Sequence, residues 1–335
     1  MNISNSRKFV PKDATIAITY KCNSRCQMCN IWQMQNPPEL PVEWFANLNP
    51  ELKYINLTGG EPFLHPRLPE IVRMVYRVAP KAQIIISSNG LATDLIIETM
   101  KEILKSGANV GVRISLDGIG ETHDRIRGIP GMFGYATQTV RCLQALGLKN
   151  IGFSFTIQDE NKDDLLKVYD LSRQMGVELA LALVQNSEIY FSKDSNRINA
   201  VEAVEKNLTE VIRRELAGPT RKHWLRAYYD YGLLLYLTEG KRLLPSGAGL
   251  DSLFIDPSGK IYPSNLINLE MGKLGTGTLK NIWNSTKANA VRDKIRQDNI
   301  SESWIICTIR GEMKKHFLKV IWWIARNKFT QKKGK

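Results

Sequence analysis

The sequence lacks the features that send a chain into a membrane or out of the cell. Among its 335 residues no apolar run approaches the roughly 18 that a spanning helix needs. Residues 1–10 are polar and have no apolar signal core, so the expected location is cytoplasmic. Glycine and proline, at 24 and 14, are too few for a collagenous or low-complexity chain, and 43% hydrophobic with 24% charged residues excludes disorder as an overall description. Cysteine is scarce, and an odd total of five is a poor disulfide framework. Acidic residues are outnumbered, 33 against 46 Lys and Arg, which leaves a net charge of +13. Just over half of that excess falls in residues 311–335, where eight Lys or Arg face Glu312 alone. Basic and aromatic residues are not interleaved across the body, so nucleic-acid binding is not expected.

What the chain does contain is alternation. Six β-rich runs, at 15–19, 54–57, 83–87, 110–116, 152–157 and 178–184, are separated by amphipathic stretches. The stretch 68–78 places Leu68, Ile71, Val72, Val75 and Tyr76 on one helical face, and 94–104 does the same with Leu95, Ile96, Met100, Ile103 and Leu104. Such alternation predicts an α/β fold with a parallel sheet and right-handed crossovers. Six units make a partial (β/α)6 barrel of TIM type, since eight are needed for closure. Beyond residue 184 two helices are expected, at 200–216 and 224–237, then a β-hairpin over 253–262 around Asp256-Pro257-Ser258-Gly259. The chain is therefore read as a barrel core (12–190), a helical linker with a smaller α+β extension (191–310) and a basic amphipathic tail (311–335).

Three of the five cysteines, Cys22, Cys26 and Cys29, crowd into one loop directly after the first strand. In parallel-sheet folds such loops carry ligands. A closed zinc site needs four ligands and no second cysteine pair lies nearby, so zinc requires a distant His or Asp. Three thiolates suit a 4Fe–4S cluster with one iron left open. Three structural cysteines are the remaining alternative. Cys142 lies in a helical pattern, 135–146, and is expected to be a small core residue. His65 and His123 sit in loops at strand ends, where titratable groups can be catalytic, although such histidines are more often structural.

The segment Cys22-Asn23-Ser24-Arg25-Cys26-Gln27-Met28-Cys29 resembles the Cys-x3-Cys-x2-Cys signature of radical S-adenosylmethionine (SAM) enzymes. Three further loops agree with it, each following a successive strand. Thr58-Gly59-Gly60-Glu61-Pro62 is similar to the family's Gly-Gly-Glu motif, which meets the methionine amino group. Ser87-Ser88-Asn89-Gly90 resembles the segment near the cofactor ribose. Ser115-Leu116-Asp117-Gly118, followed by His123 to Gly128, is similar to the fourth-strand motif, in which a Ser and an Arg, here Ser115 and Arg127, reach the cofactor in some members. The resemblance implies one 4Fe–4S cluster held by Cys22, Cys26 and Cys29, with SAM bounded by Gly59, Gly60, Glu61, Pro62, Ser88, Asn89, Ser115, Asp117 and Arg127. Met28 is read first as a core residue, with shielding of the cluster or contact with the adenine as the alternative that its place beside Cys29 offers. It also implies reductive cleavage of SAM to methionine and a 5′-deoxyadenosyl radical that abstracts hydrogen from a substrate, with electrons from a flavodoxin or ferredoxin type donor. No further catalytic residue is assigned. The physical reading is independent of this: paired glycines let backbone approach a ligand closely, and Glu61 offers a carboxylate to an amine.

The resemblance extends to a SPASM or shorter twitch extension, carried by Ser246-Gly247-Ala248-Gly249, by 254–264, by Gly275 and by 279–283. In that family cysteines hold an auxiliary cluster. Here Ser246, Ser264 and Ser303 occupy the expected positions and only Cys307 remains, so the extension is read as degenerate. In the tail, Phe317, Val320, Ile321 and Ile324 recur at helical spacing beside Trp322 and Trp323, with Lys315, Lys319 and Arg326 nearby. That pattern suits peripheral membrane contact through 314–333 or packing on the barrel. The substrate expected is a peptide, or a lipid or sugar near a membrane. The alternative class is a non-catalytic iron–sulfur or electron-transfer module, against which the intact Gly59 to Pro62 and Ser88 to Gly90 loops argue.

Overall fold

The alternating first half folds into six parallel strands in a computed structural model, which describes residues 9–300 and 303–330. In chain order the elements are β1 (Asp13–Thr19), β2 (Tyr54–Gly59), α1 (Leu68–Val78), β3 (Gln83–Ser88), α2 (Thr93–Leu104), β4 (Val110–Ser115), α3 (Glu121–Arg127), α4 (Met132–Ala145), β5 (Ile151–Ile157), α5 (Leu165–Gln174) and β6 (Glu178–Leu183). Neighbouring strands pair in sequence order from β1 to β6, every pair parallel. This is the partial barrel that the alternation implied.

The strands are two-faced because successive side chains point to opposite sides. On β5, Phe153, Phe155 and Ile157 are buried in the common hydrophobic core, as are Ile84 and Ile86 of β3. The alternate positions, Ser154, Thr156 and Ser87, line a cavity instead. The helices answer the apolar face: α1 buries Leu68, Ile71, Val72 and Val75, with Tyr76 half-buried. On α2 the buried stripe is Ile96, Met100 and Ile103; Leu95, expected in it, is 44% exposed. Leu95 stands one helical position, about 100°, off that stripe.

The second half adds α6 (Val201–Ala217), α7 (Arg221–Glu239), β7 (Ser252–Ile255), β8 (Lys260–Tyr262), β9 (Gly272–Lys273), α8 (Leu279–Trp283), α9 (Thr286–Gln297), α10 (Ile306–Lys315) and α11 (Phe317–Thr330). The expected hairpin is β7–β8, turned by Asp256, whose Oδ1 accepts from the backbone N–H groups of Ser258 and Lys260, both at 2.9 Å. The hairpin continues the barrel sheet, since β7 pairs in parallel with β1 from Asp13↔Ser252 to Ile16↔Ile255. One nine-stranded sheet results, in the order β6-β5-β4-β3-β2-β1-β7-β8-β9.

Two contacts lock the extension in place. The Trp44 ring occupies space that a Cβ would need at both Gly259 and Gly275. Asp13, buried on β1, is ion-paired with Arg310 of α10. Burial drives the Asp13 pKa up to about 6 and Arg310 opposes that rise.

In the tail, α11 packs one face on α6 and α7. Val320 and Ile324 are buried, and Trp323 stacks on Tyr231 at 4.9 Å and meets Tyr228 edge-on at 5.4 Å. The stripe expected from spacing is thus split: Phe317 and Ile321 turn outward with Leu318 and Trp322, each more than half exposed. Several tail cations are engaged by the body: Lys328 donates to Leu216 O and sits over Trp224, Lys319 donates to Leu243 O, and Lys314 donates to the Tyr54 hydroxyl. Lys332, Lys333 and Lys335 lie outside the described residues. No described helix is long and apolar enough to cross a membrane.

Candidate active site

The cysteine loop leaves β1 and is held by backbone contacts on three sides. On the first, the end of β2 runs beside it: Gly60 N donates to Thr19 O and Glu61 N to Lys21 O, both at 2.8 Å. A Cβ on Gly60 would lie 2.2 Å from Lys21 O, and one on Gly59 2.0 Å from Thr19 O, where φ is +133°. The paired glycines are therefore required by the chain-to-chain approach that positions Cys22. On the second side, the end of α3 pairs with the loop through Arg25 N to Arg127 O and Gln27 N to Ile126 O, both at 2.9 Å. On the third, Asn30 N donates to Phe191 O at 2.8 Å and Asn196 Nδ2 to Met28 O at 3.1 Å.

Cys22, Cys26 and Cys29 all line one cavity at the carboxyl ends of the strands, together with Met28, Gly59, Gly60, Ser88, Asn89, Ser115 and Arg127. All three thiols are free. Burial pushes the Cys22 thiol up to about 12 and that of Cys29 up to about 11. Such thiols ionise when a cationic centre replaces their protons. Cys26 already has polar neighbours, with Ser24 Oγ at 3.3 Å and Arg127 Nη1 donating at 3.5 Å. Among the described residues no three His, Cys, Asp or Glu converge tightly enough for a single metal ion. The three thiols share the wall of one cavity, and a cubane takes its three thiolates at separate iron corners.

Three expected cofactor contacts stand behind the cavity wall. Glu61 is fully buried and accepts from Asn89 N at 2.7 Å and Phe63 N at 3.1 Å, joining the loop after β2 to the loop after β3. Burial raises its pKa to about 7 against these hydrogen bonds. Pro62, next to it, opens a short 3-10 turn and is also buried. Asp117 is wholly buried, accepts from Thr156 N at 2.7 Å and pairs with Arg127 at 2.5 Å. Burial raises the Asp117 pKa and Arg127 pulls it back; in turn Asp117 and Cys26 outweigh the burial of Arg127 and hold its guanidinium charged. These residues set the positions of those that do line the cavity. Asn89 does both, since its Nδ2 also donates to Asn23 Oδ1 at 2.7 Å.

His65 and His123 do not line the cavity. His123 Nδ1 accepts from Asp117 N at 2.9 Å, and burial lowers its pKa to about 3, so it is a neutral loop brace. His65 Nδ1 accepts from Arg67 N at 3.2 Å. Cys142, expected in the core, is half-buried beside Leu143, which takes the core position.

Thr58 and Ser87, which open two of the motifs, also line the cavity. The motifs did not reveal further parts of the wall, to which Asn56, Ser154 and Thr156 contribute from the strands, and Gln185, Tyr190, Asn265 and Ile305 from segments farther along. The strand residues had a signal, polar side chains at alternate positions between large aliphatics. The others had none.

The auxiliary site does not fit a cluster. Ser246 Oγ accepts from Ala248 N at 3.0 Å and Ser264 Oγ from Leu266 N at 3.3 Å, so both close local turns. Ser303 O accepts from Arg242 at 2.7 Å, and the neighbouring Trp304 is buried against Gly232. Cys307 is the one thiol of the segment.

Comparison with known proteins gives the site its context. A family model of the radical SAM superfamily matches residues 16–172, and a SPASM model, an iron–sulfur cluster-binding domain, matches 247–308. The antilisterial bacteriocin subtilosin biosynthesis protein AlbA of Bacillus subtilis (strain 168) is 25% identical over 297 residues, 84% of this chain; the chain spans 62% of that relative's length. The mycofactocin maturase MftC of Mycobacterium tuberculosis (strain ATCC 25618 / H37Rv) is 27% identical over 287 residues, covering 81% of this chain and 70% of that one. The solved structure "Native anSMEcpe with bound AdoMet" shares the fold, with a TM-score of 0.64 at 16% identity over 94% of this chain and 100% of that one. The chain thus carries a radical SAM domain over residues 16–172, of a superfamily whose enzymes use a 4Fe–4S cluster and SAM, and a SPASM domain over 247–308.

Proposed function

We propose that the chain is a radical SAM enzyme acting on a peptide, with Cys22, Cys26 and Cys29 as the ligands of its single 4Fe–4S cluster. The observation that carries this is the placement of all three thiols on the wall of the cavity at the ends of β2 to β5. A cluster held by these thiols would, when reduced by a flavodoxin or ferredoxin type donor, supply the electron for reductive cleavage of SAM. Gly59 and Gly60 let backbone come close to the cofactor, Ser88, Asn89 and Ser115 offer it neutral hydrogen bonds, and Arg127 adds a fixed positive charge. Glu61, Pro62 and Asp117 hold those loops. A radical needs a centre shielded from water if it is to attack only what is placed beside it. The peptide reading is supported by relatives named for bacteriocin biosynthesis and mycofactocin maturation. The division into a core (12–190), a linker with the SPASM extension (191–310) and a tail (311–335) belongs to the same proposal.

After anaerobic reconstitution, iron analysis is expected to give about four irons per chain, one cubane's worth. Dithionite with SAM is expected to yield 5′-deoxyadenosine, and Cys29→Ser to abolish it. Eight irons would reject the single-cluster assignment, and a cluster-loaded protein that makes no 5′-deoxyadenosine would favour a non-catalytic module.

The tail supports peripheral attachment to an anionic membrane, in keeping with a cytoplasmic enzyme. Phe317, Leu318, Ile321 and Trp322 form an outward apolar face on a helix that ends in basic residues. Leu318→Asp with Trp322→Ser leaves the packed face intact and is expected to lower co-sedimentation with phosphatidylserine vesicles at least tenfold, given roughly 1.5–3 kcal/mol for burying each large apolar side chain. Unchanged sedimentation would reject membrane contact.

A further inference from the structure

We infer that Gln185 and Asn265 form a recognition pair for a backbone amide of the substrate; this rests on the peptide reading above. Both residues line the cavity. Gln185 Nε2 and Asn265 Oδ1 are shut off from solvent and have no hydrogen-bond partner among the described residues. Other polar groups of that wall are paired: Ser87 Oγ donates to Asn56 Oδ1 at 2.9 Å, and the Thr58 and Tyr190 hydroxyls are 2.6 Å apart. Buried amide atoms are ordinarily satisfied, so an unpaired donor and an unpaired acceptor on a cavity wall call for a ligand.

The two side chains are held ready. Ser187 Oγ donates to Asn265 O at 2.5 Å, which ties the segment after β6 to the segment after β8. Asn196 Nδ2 donates to Gln185 O at 2.8 Å. With the main chains fixed, one side chain presents N–H and the other C=O, which complement the C=O and N–H of a peptide group. At this pair, charge disfavours other substrate groups. The ionisable side chains on this wall are the three cysteines, Arg127, already paired with Asp117, and Tyr190, hydrogen-bonded to Thr58. A ligand carboxylate or phosphate would face the Asn265 carbonyl oxygen, and a ligand ammonium would find no carboxylate. The SPASM segment thus contributes a substrate contact, Asn265, directly after Ser264, where a cluster ligand was expected.

The test uses reconstituted protein with SAM and a pool of random octapeptides capped at both ends, with retained peptides quantified by mass spectrometry. Wild type is expected to retain peptides that are uncharged at their central positions. Gln185→Leu with Asn265→Leu is expected to lower retention at least tenfold, in line with the loss of one or two buried hydrogen bonds. The near-isosteric Asn265→Asp is expected to shift the retained pool toward Lys- and Arg-containing peptides, which a merely structural role would not do. Circular dichroism checks the fold of each variant. If wild type retains peptides and the variants retain the same set, the recognition pair is overturned while the peptide reading stands. If wild type retains none, the peptide reading fails and takes this inference with it.

Discussion

Arg127→Ala is expected to destabilise the protein by about 3–5 kcal/mol, far more than a surface arginine would. Asp117 has no solvent exposure and its carboxylate lies 2.5 Å from the guanidinium, so removing Arg127 leaves a buried charge unpaired. Breaking such a pair from one side is costly, whereas removing both charges is often close to neutral. The double variant Asp117→Asn with Arg127→Met should therefore recover most of the loss. Urea unfolding of the cluster-free protein measures both, and a double variant no more stable than Arg127→Ala would show that the cost lies elsewhere. The double variant should still fail to cleave SAM, since the positive charge beside Cys26 is gone. Stability and activity are thus separable at this residue, which marks Arg127 as more than a structural ion.

Gly60→Ala is expected to cost roughly 1–3 kcal/mol by overpacking and to lower 5′-deoxyadenosine formation about a hundredfold. The new methyl would meet main-chain atoms of Tyr20 and Lys21, none of which can rotate aside. Relief requires parting the end of β2 from the cysteine loop, and with it the hydrogen bonds from Gly60 N to Thr19 O and from Glu61 N to Lys21 O. A shift of about 1 Å in Cys22 accounts for the catalytic loss. The control is Gly134→Ala, an exposed helical position where a Cβ meets nothing within 4 Å. That change should stabilise by roughly 0.5–1 kcal/mol and leave activity unaltered. Equal behaviour of the two variants would mean that the Gly59-Gly60 pair is an ordinary turn.

These two cases also show where sequence reasoning reached and where it stopped. The strands were legible because large aliphatics alternate with other residues, as in Phe153, Phe155 and Ile157. The polar partners in that alternation, Ser154 and Thr156, were equally visible but easily assigned to solvent. In a barrel the apolar face of a strand packs outward on helices, so the polar face is the site. Motif spacing located the loops that carry Glu61 and Asp117, yet gave no information on which side of the wall each carboxylate stands. Both stand behind it, where backbone N–H groups, and for Asp117 also Arg127, solvate them. Gln185 and Asn265 lie far apart in the chain and share one cavity wall only once β6 and β8 are placed, so no local pattern marks them. The tail helix shows the same limit. Its spacing revealed an amphipathic segment, but only the aromatic surface of Tyr228 and Tyr231 decides that Trp323 turns inward and Trp322 outward.

The pairing of β7 with β1 has a consequence for biogenesis. During synthesis β1 emerges first, finds β2 on one side, and has no partner on the other until the distant residues 252–255 have been made. Until then its second edge is an unpaired template of the kind that recruits foreign strands, and Asp13 waits without Arg310. Long-range pairings of this sort slow folding and lengthen exposure to aggregation. The cysteine loop hangs from that same strand, so on the proposed ligand assignment a nascent or truncated barrel would offer its thiols to iron on an unfinished support.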